Sequence, residues 1–447
     1  MRKKGILNFI DKPFKTHGGA KVPHRKNTAA AETVFMPPPS MVSIPMQQHI
    51  GASCNVCVKV GDYVQVGQLI GDSDNFVSAP IHASVSGMVK KIEKIHMPMG
   101  TCVESVVIES DGEMKPFDKL KPPIVKTPDD LVKASRDSGL VGLGGAGFPA
   151  HIKLSIPKGK QVDTLIVNLA ECEPYITADH REAIENSWEL LSGIKTIREI
   201  LSIKNVIIAV ENNKPDVIET LTRIADKDDP EDKVKILPLK SSYPQGAEKI
   251  IVKACTNREI PTGKLPIDVS CLVMNINSVT FLSKYLKTGM PLVSKRVTVD
   301  GSAIKNPQNV IVPLGTKISE LIDFCGGYKK TPKKILMGGP MMGLAIADDS
   351  LPVLKQNNAI LAFSEEDAKL REVSDCIRCG KCISSCPMKL MPTLLERYSL
   401  EKNAEELNKL GIMNCMECGC CAYNCPAKRP LVQAIRVGKA VVRNSKR

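Results

Sequence analysis

A chain of 447 residues, 43% apolar and 24% charged, is long enough for about two to four domains with ordinary cores. No apolar run approaches the ~18–20 residues that span a bilayer, and Met1 to Asp11 is basic without the apolar stretch of a signal peptide. The net charge of +13 raises nucleic acid as a partner, but aromatics make up only 4% and no recognition helix or stacking platform is legible, so no nucleic acid is expected.

Residues 1–40 read as irregular, with His17-Gly18-Gly19, His24 and the run Pro37-Pro38-Pro39. From His49 to Ile92, alternating valines between Gly-Asp turns predict short strands of a small antiparallel sandwich. The segments G-D-Y-V-Q-V-G-Q-L-I and A-P-I-H-A-S-V-S-G resemble the lipoyl/biotinyl barrel-sandwich hybrid. Carriers of that fold need a lysine at the hairpin tip. None lies between Lys59 and Lys90, so the fold is expected without a swinging arm, as a docking or packing module. Cys54, Cys57 and Cys102, with His49, His82 and His96, could make a metal site. Alternation favours structural or surface thiols instead, with Val56 and Val58 on one face and the cysteines on the other.

After a linker at Lys119 to Lys126, Thr127 is a good N-cap, Pro128 a good first helical residue and Gly139 a good stop. That helix delivers the chain into G-L-V-G-L-G-G-A-G-F-P-A-H-I-K, Gly139 to Lys153. Gly142, Gly144, Gly145 and Gly147 would let backbone N–H groups approach a phosphate or ring that a Cβ excludes; the bland alternative is a flexible loop. The loop is neither a Walker motif, lacking Gly-Lys-Ser/Thr, nor a Rossmann fingerprint, since a helix precedes it. The runs T-L-I-V-N-L, N-V-I-I-A-V-E and V-K-I-L-P-L then alternate with helical patterns, which predicts a mainly parallel α/β sheet. The motifs fall where strands meet helices, the place where open α/β sheets bind ligands. From Lys295 the pattern is a small unit of alternating strands and a short capped helix ending at Gly326-Gly327. Met337-Gly-Gly-Pro-Met-Met-Gly343 reads as a turn closing it, and Ser364 as the cap of a helix leading onward.

Nine of the sixteen cysteines lie between Cys376 and Cys425. They spell C-x₂-C-x₂-C-x₃-C-P twice, the run that wraps a cubane iron–sulfur cluster, with the fourth cysteine of each copy serving the other cluster. Cys376, Cys379, Cys382 and Cys425 are therefore assigned to one [4Fe–4S] centre, and Cys415, Cys418, Cys421 and Cys386 to the second. Cys420 breaks the spacing and is not expected to be a ligand. A pair of zinc knuckles is the alternative, but zinc loops seldom repeat this spacing before proline. Cluster thiolates need a reducing compartment. Seven Lys/Arg and no acid follow Ala427, which suits an acidic electron carrier, an anionic membrane surface or simply a solvated end.

Gly142 to Pro149, Asn168 to Pro174, Tyr243-x-x-Gly-x-Glu248 and Asn275-x-Asn-Ser278 occur in an order that resembles the FMN- and NADH-binding subunit of respiratory complex I. With the leading sandwich and the paired cluster motifs, nearly the whole chain is similar to the RnfC family, the C subunits of ferredoxin:NAD⁺ oxidoreductases of bacterial membranes. The resemblance implies an α+β multidomain protein. Its parts would be a barrel-sandwich hybrid with a leading extension (1–118), an FMN/NADH-binding α/β domain (119–290), a β-grasp SLBB domain (291–363) and a ferredoxin-like α-helical domain with two [4Fe–4S] clusters and a basic tail (364–447).

The resemblance also implies roles. Gly142, Gly144, Gly145, Gly147 and Lys153 would cradle FMN, with Asn168, Glu171, Asn277 and Ser278 beside it. Phe148 would stack on the dinucleotide and Glu173 would stand by the nicotinamide, while Tyr243, Gly246 and Glu248 complete the pocket. Leu143, Ala170 and Ala247 stand where the complex I family has arginine, aspartate and glutamate, and each removes a polar contact. NAD(H) exchanges electrons in pairs and clusters exchange them singly, and flavin converts between the two. The implied partners are the other Rnf subunits, among them a cluster-bearing one that takes electrons from ferredoxin. The implied position is peripheral, on the cytoplasmic face of a membrane complex that moves Na⁺ or H⁺. Soluble flavin/iron–sulfur reductases, such as cobalamin reductases or the diaphorase subunits of hydrogenases and formate dehydrogenases, use the same cofactors. The cobalamin reductases, however, place the sandwich late. An electron-wire scaffold with a vestigial flavin pocket is the non-enzymatic alternative.

Overall fold

The computed structural model describes residues 14, 16–98, 100–228 and 234–445. Two antiparallel sheets face each other in the first module. One runs Met41–Pro45, Cys102–Ser110, Gly87–His96, Tyr63–Val64, and the other runs Asn55–Val56, Leu69–Asp72, Ile81–His82. Period-two patterning turns Val42, Ile44, Val106 and Ile108 inward, into one core with Ile70 and Ile81. The cysteines depart from the expected pattern. Cys54 has the parity of Val56 and Val58, so it joins the core with Val58, while Cys57 and Cys102 are exposed. Cys54 Sγ donates to Ala79 O at 3.3 Å, which suits a structural thiol.

The helix Pro128–Asp137 begins with a reciprocal cap: Thr127 Oγ1 accepts from Asp130 N at 3.2 Å, and Asp130 Oδ2 accepts from Thr127 N at 2.9 Å. Beyond it stands a four-stranded, wholly parallel sheet in the order Val234–Leu239, Asn205–Glu211, Thr164–Leu169, Cys271–Asn275. Thr164–Leu169 is apolar along most of its length because both its faces are covered. Leu165 and Val167 share a core with Leu190 and Ile194 of the helix Ser187–Ile200 and Val279 of the helix Ile276–Thr288. Ile166 packs on the other side with Ile251 and Val252 of Glu248–Thr256. The chain moves outward from Thr164–Leu169 through two strands, then returns to its other side with Cys271–Asn275. The order therefore switches between the carboxyl ends of those two strands, where such sheets leave a crevice.

In the third module Ser294–Asp300 pairs with Gln308–Pro313, and the helix Ile318–Phe324 buries Ile318, Leu321 and Ile322 against Val297, Val310 and Val312. Lys334–Met337 and Leu344–Ile346 form the hairpin whose turn is Gly338–Gly343. Ser364 does not start a substantial helix. It precedes a single turn, Glu365–Ala368, and its hydroxyl pairs with that of Ser302 at 3.2 Å. The last module packs the helices Pro392–Leu400 and Leu431–Asn444 around Leu395, Leu407, Ile412, Ile435 and Val442.

The leading extension behaves differently from a loose appendage of the sandwich. Phe14 pairs with Leu239 and Ala20 with Tyr243 of the α/β domain, while Gly19 N donates to Ser385 O at 2.9 Å and Asn424 Nδ2 to Gly19 O at 3.2 Å. Lys26 Nζ then donates to the carbonyls of Glu171, Glu173 and Ile176 at 2.7, 2.9 and 2.6 Å, and Val34–Phe35 adds a parallel strand beside Gln308–Pro313. One irregular segment thus ties the α/β, β-grasp and cysteine-rich modules together.

Candidate functional site

The glycine loop lies over the switch point. Its entry is pinned from both sides: Leu143 N donates to Ser278 Oγ at 3.1 Å, and the buried Lys295 Nζ donates to Leu143 O at 2.7 Å. Gly144, Gly145 and Ala146 are exposed, with Phe148 half-buried beside them. Gly144 rides on Asn275, close enough that a Cβ there would stand 3.0 Å from Asn275 Nδ2. Asn275 caps the helix Ile276–Thr288, and its Nδ2 and that of Asn277 donate to the two oxygens of buried Asp179 at 2.8 and 2.6 Å. Burial pushes Asp179 up and Lys295 down, the latter to about 7. Lys153 Nζ pairs with Glu248 Oε1 at 2.6 Å, and Asn168 Nδ2 donates to Gly246 O at 2.8 Å. Bare, exposed glycine backbone above amide side chains can hold an anionic phosphate through N–H groups, so these residues fit FMN.

Three of the expected pocket residues have partners within the chain. Glu171 accepts the Asp179 and His180 N–H groups at 2.6 and 3.3 Å, capping the helix Ala178–Glu185. Glu173 accepts Met341 N at 3.0 Å and Met342 N at 2.9 Å, so the second glycine turn closes on a carboxylate. A Cβ at Gly339 would fall 2.3 Å from Glu173 Oε2, which is why that turn must be bare. Burial pushes the carboxyls of Glu171 and Glu173 each up to about 7. Tyr243 is fully buried, and its hydroxyl donates to Cys418 O at 2.7 Å.

The cysteines gather around two cavities. One, of about 370 Å³ including its mouth, is lined by Cys386, Cys415, Cys418 and Cys421 with Leu390, Leu395 and Ile435. The other, of about 340 Å³, is lined by Cys376, Cys379, Cys382 and Cys425 with Thr393 and Leu431. Each cavity takes three cysteines from one motif and the fourth from the other. Among the described residues no three His, Cys, Asp or Glu side chains converge on a single ion. A space walled by four cysteines in this arrangement suits a four-iron cage, in which each thiolate holds its own iron. Cys420 also borders the first cavity, but its thiol reaches back toward Tyr243 O at 3.9 Å.

Sequence reasoning missed Lys26, Asp179, Lys295 and the segment Gln356–Asn358. Asn358 Nδ2 lies 3.5 Å from Gly144 O, and Gln356 abuts Gly147. Lys26, Lys295 and Gln356–Asn358 come from other modules, Asp179 comes from a helix distant in sequence from the glycine loop, and none carries a local motif.

Four family models match in series: the RnfC barrel sandwich hybrid domain over residues 14–113, the Nuo51 FMN-binding domain over 135–284, the SLBB domain over 296–345 and the 4Fe-4S dicluster domain over 368–426. Among curated proteins, the C subunit of the Na(+)-translocating ferredoxin:NAD(+) oxidoreductase complex of Acetobacterium woodii is 43% identical, over 94% of this chain and 96% of its own length. The proton-translocating counterpart of Clostridium ljungdahlii is 42% identical over 92% of this chain and 90% of its own. The C subunit of the ion-translocating oxidoreductase complex of Rhodobacter capsulatus is 39% identical over 93% and 80%. A chain of an NAD+-reducing [NiFe]-hydrogenase has a similar fold, with a TM-score of 0.50 at 16% identity over 69% of this chain and 63% of that one.

Fold and site together define a complex I-type flavin domain joined to barrel-sandwich, SLBB and dicluster iron–sulfur domains. The chain belongs to the RnfC family, the C subunits of ion-translocating ferredoxin:NAD⁺ oxidoreductase complexes.

Proposed function

We propose that this chain is the NAD(H)-reacting subunit of an ion-translocating ferredoxin:NAD⁺ oxidoreductase, passing electrons between NAD(H), FMN and two [4Fe–4S] clusters. The observation that carries the reading is the pair of cysteine-lined cavities in the same chain as the glycine loop, one of them walled by Cys418, whose carbonyl accepts from the Tyr243 loop of the flavin domain. Bound FMN supplies the exchange between paired and single electrons. The chain's own residues do the placing. Gly144 and Gly145 offer backbone to the phosphate, Lys153 offers charge, and Asn168 and Asn277 fix the sheet-edge side of the pocket. Phe148 is the ring available for the nicotinamide to stack on. Glu171, Glu173 and Tyr243 act from behind, holding the loops that form the wall.

The electrons reach or leave ferredoxin through partner subunits of the complex, and the chain sits peripherally on the cytoplasmic face. No helix among the described residues is long and apolar enough to cross a membrane. Two relatives of nearly equal identity are named for different ions, Na⁺ and H⁺, so we place the ion path in the partners. Anaerobically purified chain is expected to hold about eight iron, eight acid-labile sulfide and one FMN. Membranes carrying the complex are expected to reduce NAD⁺ with reduced ferredoxin only when this chain is present. Chain free of flavin or iron, or undiminished membrane activity without it, would overturn the reading.

A further inference from the structure

Two struts run from the flavin domain to the same short stretch of the cysteine-rich module. The first is Tyr243, buried to 1% exposure, whose hydroxyl donates to Cys418 O at 2.7 Å. Its backbone is clamped in turn by the extension, with Ala20 N donating to Tyr243 O at 2.9 Å. The second is Glu173, which draws the turn Gly338–Gly343 inward through Met341 N and Met342 N. That turn rests on the neighbouring residue, for a Cβ at Gly419 would stand 3.0 Å from Met341 O. Tyr243, Cys418 and Cys420 share one small core, with Cys172 and Met341 packed against it. Farther out, Cys382 of the other cavity is buried with Cys421, Leu431 and Val432, between the two cavities. Beyond that point Cys376 and Cys379 are exposed. The contacts therefore run in one direction, from the strand-end loops to the Cys418 cavity and then to the Cys376 cavity.

Resting on the cofactor reading above, we infer that the cluster held by Cys386, Cys415, Cys418 and Cys421 is the one that exchanges electrons with the flavin, and that Tyr243 is the positioning residue that sets it there. The other cluster stands on the outward side and faces the partner. In the direction of NADH oxidation, NADH gives up two electrons and becomes NAD⁺ with release of a proton. The pair leaves the flavin one electron at a time, and each electron reduces the inner cluster once before passing to the outer one. Tyr243 takes no proton or electron itself. It fixes Cys418 against the flavin domain.

The test mixes NADH anaerobically with holoprotein, following flavin bleaching optically and the clusters by freeze-quench EPR, with cofactor content and midpoint potentials measured alongside. Tyr243→Phe keeps the ring and removes the hydrogen bond. It is expected to retain iron, and its rates are expressed per bound flavin. Cluster reduction should slow by up to about tenfold, the equivalent of one hydrogen bond, and only the inner cluster's potential should move. Wild-type cluster kinetics and potentials, or equal shifts in both clusters, would overturn the role of Tyr243. The order of the clusters is read independently of that variant. In Cys379→Ala the remaining cluster should still be reduced by NADH at the wild-type rate. In Cys418→Ala the remaining cluster should respond to dithionite but lose its fast reduction by NADH. Equal reduction in both variants, or the reverse pattern, would overturn the order. Wild-type protein without flavin or iron would instead sink the cofactor reading beneath it.

Discussion

Replacing Cys386 by alanine is expected to halve the iron, from about eight to about four per chain, and to remove the cluster of the other motif. The reason is the crossing of the two motifs. Cys386 stands four residues beyond Cys382 in sequence, yet it lines the cavity of Cys415, Cys418 and Cys421. Cys425, four residues beyond Cys421, lines the cavity of Cys376, Cys379 and Cys382. The helices Lys381–Ser384 and Cys420–Tyr423 carry each chain segment out of its own loop and into the neighbouring cavity. Iron and sulfide analysis with EPR of the dithionite-reduced protein checks this. Cys386→Ala should leave the same residual spectrum as Cys415→Ala, and Cys425→Ala the same as Cys376→Ala. A Cys386→Ala spectrum matching that of Cys376→Ala would mean that each motif closes on itself.

Gly144→Val should yield protein that keeps its iron and loses its flavin. A Cβ at this position would sit 3.0 Å from Asn275 Nδ2 and 3.3 Å from Asn275 Cγ, and a branched side chain crowds that amide further. Asn275 cannot yield freely, because its Oδ1 accepts Asn277 N at 2.9 Å as the helix cap while its Nδ2 is held by Asp179. Overpacking of this kind costs about 1–3 kcal/mol of local stability, so the loop is displaced from its seat on Asn275. The isopropyl group would also cover the exposed backbone proposed to hold the phosphate. Fluorescence of FMN released on denaturation measures the effect. Less than about a tenth of the wild-type flavin is expected, with iron content unchanged, and stoichiometric flavin would contradict the assignment.

Much of this was legible in the residues, and for physical reasons. Two cubane motifs at fixed spacing impose their own fold, and each fourth cysteine reached the cavity that the crossing rule requires. Strands buried on both faces, such as Thr164–Leu169, announce themselves as apolar runs, and the Thr127 cap is written in four consecutive residues. What was not legible depends on contacts between distant segments. Glu171 and Glu173 sit in a motif that suggests a ligand pocket, but the partners that occupy them are a helix start eight residues on and a turn in another module. The hydrogen bond from Tyr243 to Cys418 O likewise joins residues 175 positions apart. The extension looked irregular because its order comes from pairing with edges that other modules supply. The cysteine pattern in the sandwich failed for a simpler reason: Asn55–Val56 is a short strand, and Cys54 and Cys57 have opposite parity along it.

Electrons from a nicotinamide are expected to reach the clusters only by way of the flavin pocket. The most direct measurement removes FMN from the purified holoprotein, leaves the clusters in place and follows their reduction by NADH under anaerobic conditions. The account predicts clusters that dithionite still reduces but NADH does not, with NADH reduction restored when FMN is added back. Clusters reduced by NADH equally fast without flavin would contradict it.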